Sequence, residues 1–442
     1  MNSERESEAL AIVKRLRDAG FAAYLAGGCV RDRVLGLRAK DYDIAADARP
    51  EVVQSLFENT VAVGAKFGVI LVLSGGDEFE VATFRADAHY LDGRRPSSVR
   101  FGTIEEDASR RDFTINGMFF DPEHERVIDL VGGMRDLRAG VIRAIGDPRA
   151  RFGEDRLRML RAVRLAARLN FTIEPATWAA IQESAATVVI ISAERIGEEI
   201  VMALTEGAAA RAMDLMLRSG LMRAVIPEVV QLVGCEQPAN FHPEGDVFVH
   251  TRLALSMLES GCSETLAFGT LLHDIAKPQS RAQHEGKVTF FGHTERGAEI
   301  AAEILRRLKR SRFVQERVAY LVRYHLRLCT APRMRPATLK RMLAEDGFAE
   351  LLELSRLDAL ASSSYLGFYH FCRAAIRDLG HQEIRPAPLI GGNDLIAMGF
   401  TPGPRFKTIL KEVEDRQLDG ELRSREQALD YVRAHHVSQT PA

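Results

Sequence analysis

The sequence predicts an α+β protein, with an N-terminal head on a small mixed β-sheet followed by a mostly α-helical neck, body and tail. Two observations carry this prediction. The early part alternates short strand-like runs, FGVILVLS and EFEVATF, with turn residues and short helical patterns. The later part repeats apolar residues at three- and four-residue intervals, as helix faces do. At 442 residues the chain exceeds one ordinary core. The expected division is a head over 1–145, a helical neck and body over 146–235, a second helical domain over 236–375 and a helical tail over 376–442.

Composition narrows the function classes. The content of 46% apolar and 27% charged residues is that of a globular protein. No apolar run approaches the roughly 18 to 20 residues of a membrane span, and the start MNSERESEAL is too polar for a signal peptide, so a cytoplasmic location is expected. Five scattered cysteines without a CxxC pair suggest neither a disulfide framework nor a zinc ribbon. The net charge of −2 is less compatible with indiscriminate RNA binding than with a local basic groove, and RRDFTIN and RARFGEDRLRMLRAVRLAAR are locally rich in arginine.

Taken in order, residues 4–19 show helical spacing and stop at Gly20. The run AAYLA reads as a strand, Gly27 and Gly28 as the turn after it, and Arg31 and Asp32 as the first turns of a helix. Two glycines let the backbone approach a phosphate, and a helix start offers free N–H groups to an anion. Asp41 and Asp43 follow on the next strand, two apart and therefore on one face. Carboxylates that close repel each other, and Mg²⁺, a hard ion that takes one or two carboxylates and keeps positions for water and phosphate, is the natural remedy. Pro50 introduces a short helix, EVVQSLF, and three strand-like runs follow, TVAVG, FGVILVLS and EFEVATF. Glu80 on the third either joins the two aspartates or faces solvent. The stretch FRADAHYLDGRRPSSVRFG reads as a loop.

Strand, double glycine, helix with an arginine and DxD on a strand, in that order, resemble the nucleotidyltransferase superfamily that includes polymerase β. In detail the chain resembles the class II tRNA nucleotidyltransferases (CCA-adding enzymes) and the related bacterial poly(A) polymerases, over nearly all of its length. The resemblance implies attack of an RNA 3′-hydroxyl on the α-phosphate of CTP or ATP, with Asp41 and Asp43 as the catalytic, Mg²⁺-holding pair. EEDASRRDFTINGMFFD and VIDLVGGMRDLRAGVIRAIG resemble the family's second and third motifs. By that likeness Gly28, Arg31, Arg111, Asp112 and Asn116 bind the nucleotide, and Asp129, Gly133 and Asp136 couple head and neck movements. Helix capping is the plainer reading of the two aspartates. The loop after Phe84 resembles the one associated with adding A after CC.

Residues 153–169, GEDRLRMLRAVRLAARL, form an amphipathic pattern with Leu157, Leu160, Val163 and Ala167 on one face. If helical throughout, Asp155 and Arg158 share a face, an acceptor beside a donor. Cytosine and adenine carry an exocyclic amine beside a ring nitrogen, which this pair matches; uracil and guanine present the opposite pattern. A mismatch leaves protein groups unpaired at a cost of about 1–3 kcal/mol each. This resembles the family's EDxxR motif, which implies that Glu154, Asp155 and Arg158, with Arg161, select the base. ISAERIGEEIVMAL resembles the fifth motif, where Glu194 and Arg195 support the selecting helix.

The loop GCEQPANFHPEGDVF marks a domain boundary. Beyond it lie His250, the doublet His273 and Asp274, and Asp358, a set of nitrogen and oxygen donors suited to a divalent transition metal. Their order in helical sequence resembles the HD phosphohydrolase superfamily; His293 and His325 are further ligand or phosphate candidates, with Lys277 near the doublet. In the tail, Pro404 opens a helix with Phe406, Ile409, Leu410 and Val413 as its apolar stripe. The partners implied are the tRNA 3′ end, CTP and ATP, with no membrane; the oligomeric state stays open. Two rivals remain. A poly(A) polymerase or A-adding enzyme shares the chemistry, although VGAKFGVILVL resembles the CCA-adding version, and an HD-domain metal phosphohydrolase would leave the head as an RNA-binding remnant.

Overall fold

The computed structural model describes residues 4–64, 68–87, 99–238, 242–284, 287–362, 364–384 and 386–436. It divides into two compact units, Met1–Val230 with Glu259–Gly261 and Arg307–Arg310, and Gln231–Leu258 with Cys262–Arg306 and Ser311–Ala442. A mixed sheet precedes a mostly helical remainder, the α+β architecture expected from the sequence pattern. Among the described residues no helix is long and apolar enough to cross a membrane.

The first unit opens with α1 (Glu4–Asp18), β1 (Ala23–Ala26), α2 (Gly28–Val34), β2 (Asp43–Ala46) and α3 (Pro50–Leu56). It continues with β3 (Thr60–Gly64), β4 (Val69–Ser74) and β5 (Asp77–Thr83), then β6 (Arg85–Asp87) and β7 (Val99–Phe101). After α4 (Ile104–Ser109) come β8 (Met118–Asp121), β9 (Arg126–Asp129) and α5 (Gly133–Ala139). Seven strands form one sheet in the order β3-β4-β5-β2-β1-β8-β9. Its single parallel pairing, β2 with β5, sets Ile44 against Val81, so Asp43 and Glu80 stand one step earlier on neighbouring strands. Buried Phe79, Phe84, Phe113 and Phe119 fill the sheet's core.

Two expectations change here. The stretch read as a loop after Phe84 is paired at its ends, β6 with β7, while residues 88–98 lie outside the described residues. The helix expected over 153–169 is two helices, α6 (Pro148–Glu154) and α7 (Leu157–Arg168), because Asp155 is extended at φ −144°. Its Oδ1 accepts the Leu157 N–H at 3.0 Å, an aspartate turn that competes with continued helix. The short strands β10 (Val141–Ile142) and β11 (Thr172–Ile173) pair in parallel, and α8 (Pro175–Ser184), α9 (Ala193–Thr205), α10 (Ala209–Ser219), α11 (Leu221–Val225) and α12 (Pro227–Val230) complete the unit.

The second unit carries α13 (Val247–Ser256), α14 (Glu264–Leu272), α15 (Lys277–Ser280), the hairpin β12 (Ala282–His284) with β13 (Lys287–Thr289), and α16 (His293–Arg307). Then come α17 (Arg312–Tyr324), α18 (Pro336–Ala344), α19 (Phe348–Ala361), α20 (Gly367–Ile384), α21 (Gly392–Ala397), α22 (Pro404–Leu418) and α23 (Arg425–His436). The tail stripe packs as its spacing predicts: Ile409 and Val413 are buried against Leu395, Ala428 and Val432, with Phe406 and Leu410 beside them.

Gly133, the first residue of α5, shows how tightly the head closes around the third motif. A Cβ there would stand 2.3 Å from the Thr114 carbonyl oxygen and 2.7 Å from Met118 Cγ. Gly133→Ala is therefore expected to lower stability by about 1–3 kcal/mol in urea unfolding. Gly153→Ala, where nothing lies within 4 Å, should be neutral or slightly stabilising.

Candidate active site and candidate metal centre

In the first unit a cavity of about 500 Å³ opens between the sheet and α7. It is lined by Gly27 and Gly28 at the turn, Asp41 and Asp43, Arg110, Arg111, Asp112 and Asn116, and Asp155, Arg158 and Arg161. The structure thus brings together every site residue expected in the head except Glu154, which holds Arg151 and Arg158 from behind. Eight arginines and Lys40 face six carboxylates in the lining, so a net-acidic chain presents a locally cationic cavity.

Gly27, at φ +78°, is the glycine the turn requires. A Cβ there would meet Arg111 Nη1 at 3.0 Å and Asp43 Oδ2 at 3.6 Å. Asp43 begins β2, whereas Asp41 precedes the strand and leaves its side chain 75% exposed. Burial raises the pKa of Asp43; Arg111 opposes the shift and the charge of Asp41 adds to it. Burial, Asp43 and Asp41 likewise raise Glu80. Asp41, Asp43 and Glu80 together offer the oxygen donors that a hard divalent cation takes. Cys29 beneath them is driven to about 12 by burial and by Asp43, which makes it an inert packing group.

The arginines are held before any ligand arrives. Arg31 is buried and bonds Asp32 at 2.7 Å and Asn116 Oδ1 at 2.7 Å, so its fork is already engaged within the protein. Asp107 orients Arg110 and Arg111, and Asp112 accepts from Arg161 at 2.8 Å, from Asn116 at 3.0 Å and from the Phe113 N–H at 2.7 Å.

The break at Asp155 corrects the expectation that Asp155 and Arg158 share a face of one helix. The Asp155 carboxylate is bound by Arg195 at 2.7 Å. Arg158 donates to Glu154, to the Arg151 carbonyl at 3.0 Å and to the Arg110 carbonyl at 3.1 Å. Both still line the cavity. Arg195 supports Asp155 directly, whereas Glu194 lies exposed in the first turn of α9. Asp129 caps α5, accepting from the N–H groups of Gly133 at 2.8 Å and Met134 at 2.9 Å. Asp136 does not cap; it holds the Thr114 hydroxyl at 2.8 Å and Arg143 at 2.9 Å.

Sequence reading missed Arg164, Arg168, Lys40, Glu199 and Glu206. Arg164 bonds Glu199 at 2.7 Å and Glu206 at 3.1 Å, Lys40 reaches Glu206 at 3.1 Å, and Arg168 reaches Asp32 at 3.1 Å. The available signal was spacing: Arg161, Arg164 and Arg168 recur at three and four residues on one face of α7.

In the second unit, four histidines turn their Nε2 atoms inward because their Nδ1 atoms are anchored. His273, His293 and His325 bond the carbonyls of Thr270, Phe290 and Val322 at 2.9, 2.7 and 2.7 Å, and His250 bonds Glu244 at 2.8 Å. Anchoring of the distal ring nitrogen is how metal-ligating imidazoles are oriented. His250 Nε2 lies 3.1 Å from His273 Nε2 and 3.0 Å from Asp358 Oδ1. Among the described residues three sets of donors result, His242 with Glu244 and His250, and, at the inward atoms, His250 with His273 and Asp358 and Asp274 with His293 and His325. Asp274 stands between the two inward sets: its Oδ2 is 3.4 Å from His273 Nε2 and its Oδ1 is 3.6 Å from His293 Nε2. Buried His293 Nε2 has no hydrogen-bond partner, as a ligand atom awaiting a cation would. Lys277 lies 2.6 Å from Asp274.

Residues 23–143 match the Poly A polymerase head domain, 170–232 the probable RNA and SrmB-binding site of polymerase A, and 247–361 the HD domain. A CCA-adding enzyme of Leuconostoc mesenteroides is 45% identical over 216 residues, 49% of this chain and 54% of that protein. One of Geobacillus stearothermophilus is 44% identical over 215 residues, 48% of this chain and 53% of that protein. The chain thus spans about half the length of the curated relatives it matches. A Bacillus stearothermophilus CCA-adding enzyme in complex with CTP superposes with a TM-score of 0.74 at 26% identity, over 99% of both chains. The mixed sheet with clustered acids beside a cationic cavity lies in the residues that match the head domain, and the inward-facing histidines lie in those that match the HD domain. In these matches the chain is similar to the CCA-adding enzymes, over about half its length in sequence and over nearly all of it in fold.

The Asp112 to Arg161 pair has a pH signature. Burial alone would raise the Asp112 carboxyl, but Arg161 and the hydrogen bond from Asn116 hold it down to about 2, against an ordinary 3.8. A depressed carboxylate contributes stability that is present above the unfolded value and lost as pH falls through the folded one. Asp112→Asn is expected to cost about 2 kcal/mol near pH 6, and the difference in urea midpoint from the parent should shrink as pH falls from 4 toward 2.

Proposed function

We propose that the chain adds C, C and A to the 3′ end of tRNA from CTP and ATP, releasing pyrophosphate, without a nucleic-acid template. Support comes chiefly from a single cavity that holds the acid pair Asp41 and Asp43 together with the acceptor Asp155 and the donor Arg158. The CCA-adding relatives point to the same reaction. The 3′-oxygen forms its bond to the α-phosphorus as the bond to the leaving pyrophosphate breaks. Asp41 and Asp43, with Glu80 beside them, would hold Mg²⁺, which when bound lowers the pKa of the attacking hydroxyl and offsets charge on the phosphates. Gly28 and Arg111 would receive the triphosphate, with Arg31 and Asn116 as their preordered support. Asp112 places Arg161, Arg195 places Asp155, and Glu154 with the Arg151 and Arg110 carbonyls places Arg158, so that acceptor and donor would meet the amine and ring nitrogen of cytosine or adenine once Arg158 exchanges one of these bonds for the base. In this reading residues 1–145 are the catalytic head, 146–235 the selecting neck and body, 236–375 the HD domain and 376–442 the tail that holds the tRNA body, in a cytoplasmic protein.

The inward Nε2 atoms of the second unit favour an additional reading, a metal-dependent phosphohydrolase. His250, His273, Asp274 and Asp358 would hold a divalent transition metal, whose supply of an activated water is the chemistry such a centre brings.

Incubation of tRNA lacking its 3′ end with CTP and ATP should yield products that stop at CCA; a long A tract would instead indicate a poly(A) polymerase. Asp41→Ala is expected to abolish incorporation while leaving circular dichroism and melting unchanged, and near-normal transfer by that variant would refute the metal assignment. Phosphatase activity with Ni²⁺, Mn²⁺ or Mg²⁺ should survive Asp41→Ala and vanish in Asp274→Ala; activity retained by Asp274→Ala would remove the second site from consideration.

A further inference from the structure

We infer that Arg5, on α1, is the positioning residue of Asp41, and that through it the N-terminal helix sets the affinity of the head for its divalent cation. The inference rests on the reading that Asp41 and Asp43 hold Mg²⁺.

The two aspartates are restrained unequally. Asp43 lies in β2, whose ladder with β1 and β5 fixes its backbone. Asp41 lies outside that ladder, in the segment before β2, with its side chain largely in solvent. Left alone, such a side chain would sample many orientations, and ordering it would oppose cation binding.

Arg5 supplies the missing restraint. Its Nη1 donates to the Lys40 carbonyl at 2.9 Å, and its Nη2 stands 3.2 Å from Asp41 Oδ1 and 3.4 Å from the Glu78 carbonyl oxygen. The guanidinium rests 5.9 Å from the centre of the Phe79 ring, and Asp77 faces its Nε at 3.8 Å. One planar fork thereby joins the Lys40–Asp41 segment to β5, the strand that carries Glu80. The Lys40 ammonium is tied on its other side to Glu206, so the residue before Asp41 is gripped at both its backbone and its side chain. Arg5 engages Oδ1 and leaves Oδ2 for a cation.

A guanidinium beside a cation site also repels the cation. Because Asp41 is exposed, that repulsion is screened, whereas the restraint acts on backbone and side chain together. Restraint is therefore expected to prevail.

The test is Mn²⁺ binding by electron paramagnetic resonance on the full chain, with the head contribution defined as whatever binding Asp41→Ala abolishes. Arg5→Ala should weaken that contribution roughly three- to tenfold and leave the rest unmoved. It should also raise the Mg²⁺ concentration for half-maximal transfer more than it lowers the saturated rate. Arg5→Lys should fail to rescue, since a single ammonium cannot span the Lys40 carbonyl, the Glu78 carbonyl and Asp41. Arg17→Ala serves as the folding control, because Arg17 is on the same helix and pairs with Asp121 at 2.7 Å, away from the acids; it should leave Mn²⁺ binding unchanged. Unchanged or tighter binding in Arg5→Ala, full rescue by lysine, or equal weakening by Arg17→Ala would each overturn the role of Arg5 while the metal reading stands. Mn²⁺ binding undiminished in Asp41→Ala would overturn both.

Discussion

The ion pair between Asp112 and Arg161 is the contact on which the cavity of the first unit depends. It crosses from the head segment after α4 to α7, 49 residues along the chain, and it is shielded from water on the Asp112 side. A buried carboxylate is costly unless its lone pairs are filled, and here Asn116 and the Phe113 N–H fill the rest. Removing either partner would strand the other, so the head and the arginine-bearing helix are held in one arrangement.

From that pair the site extends as a series of shared carboxylates. Arg161 and Arg164 both approach Glu199, Arg164 also reaches Glu206, and Glu206 in turn binds Lys40, the residue before Asp41. Burial raises the pKa of Asp43 and of Glu80 and the neighbouring carboxylates add to both shifts, while Arg111 opposes that of Asp43 and Arg5 pairs with Asp41.

The second unit solves a different problem with different donors. Burial opposes the charge on His250, but Asp358 and Glu244 raise it to about 9, while burial and the neighbouring His273 take His325 down to about 4. Borderline divalent metals suit imidazole and carboxylate together, whereas the all-oxygen cluster in the head suits a hard ion.

What the sequence determined by itself was whatever depends on local period and residue type. The double glycine marks the turn and the tail stripe from Phe406 to Val413 follows from helical spacing alone, whereas of the two aspartates expected on one strand only Asp43 is in β2 and Asp41 precedes it. Only the tertiary structure decided which carboxylate each arginine would take. Arg195 claims Asp155 across 40 residues, and with Asp155 turned back on Leu157 the single helix read from spacing becomes two. The ends of the stretch after Phe84 pair as strands for a similar reason: the partners are far apart in the chain, and no window of local sequence contains both. Periodicity reports which way a side chain faces, whereas a long guanidinium chooses among several acceptors, and that choice exists only once distant elements have met.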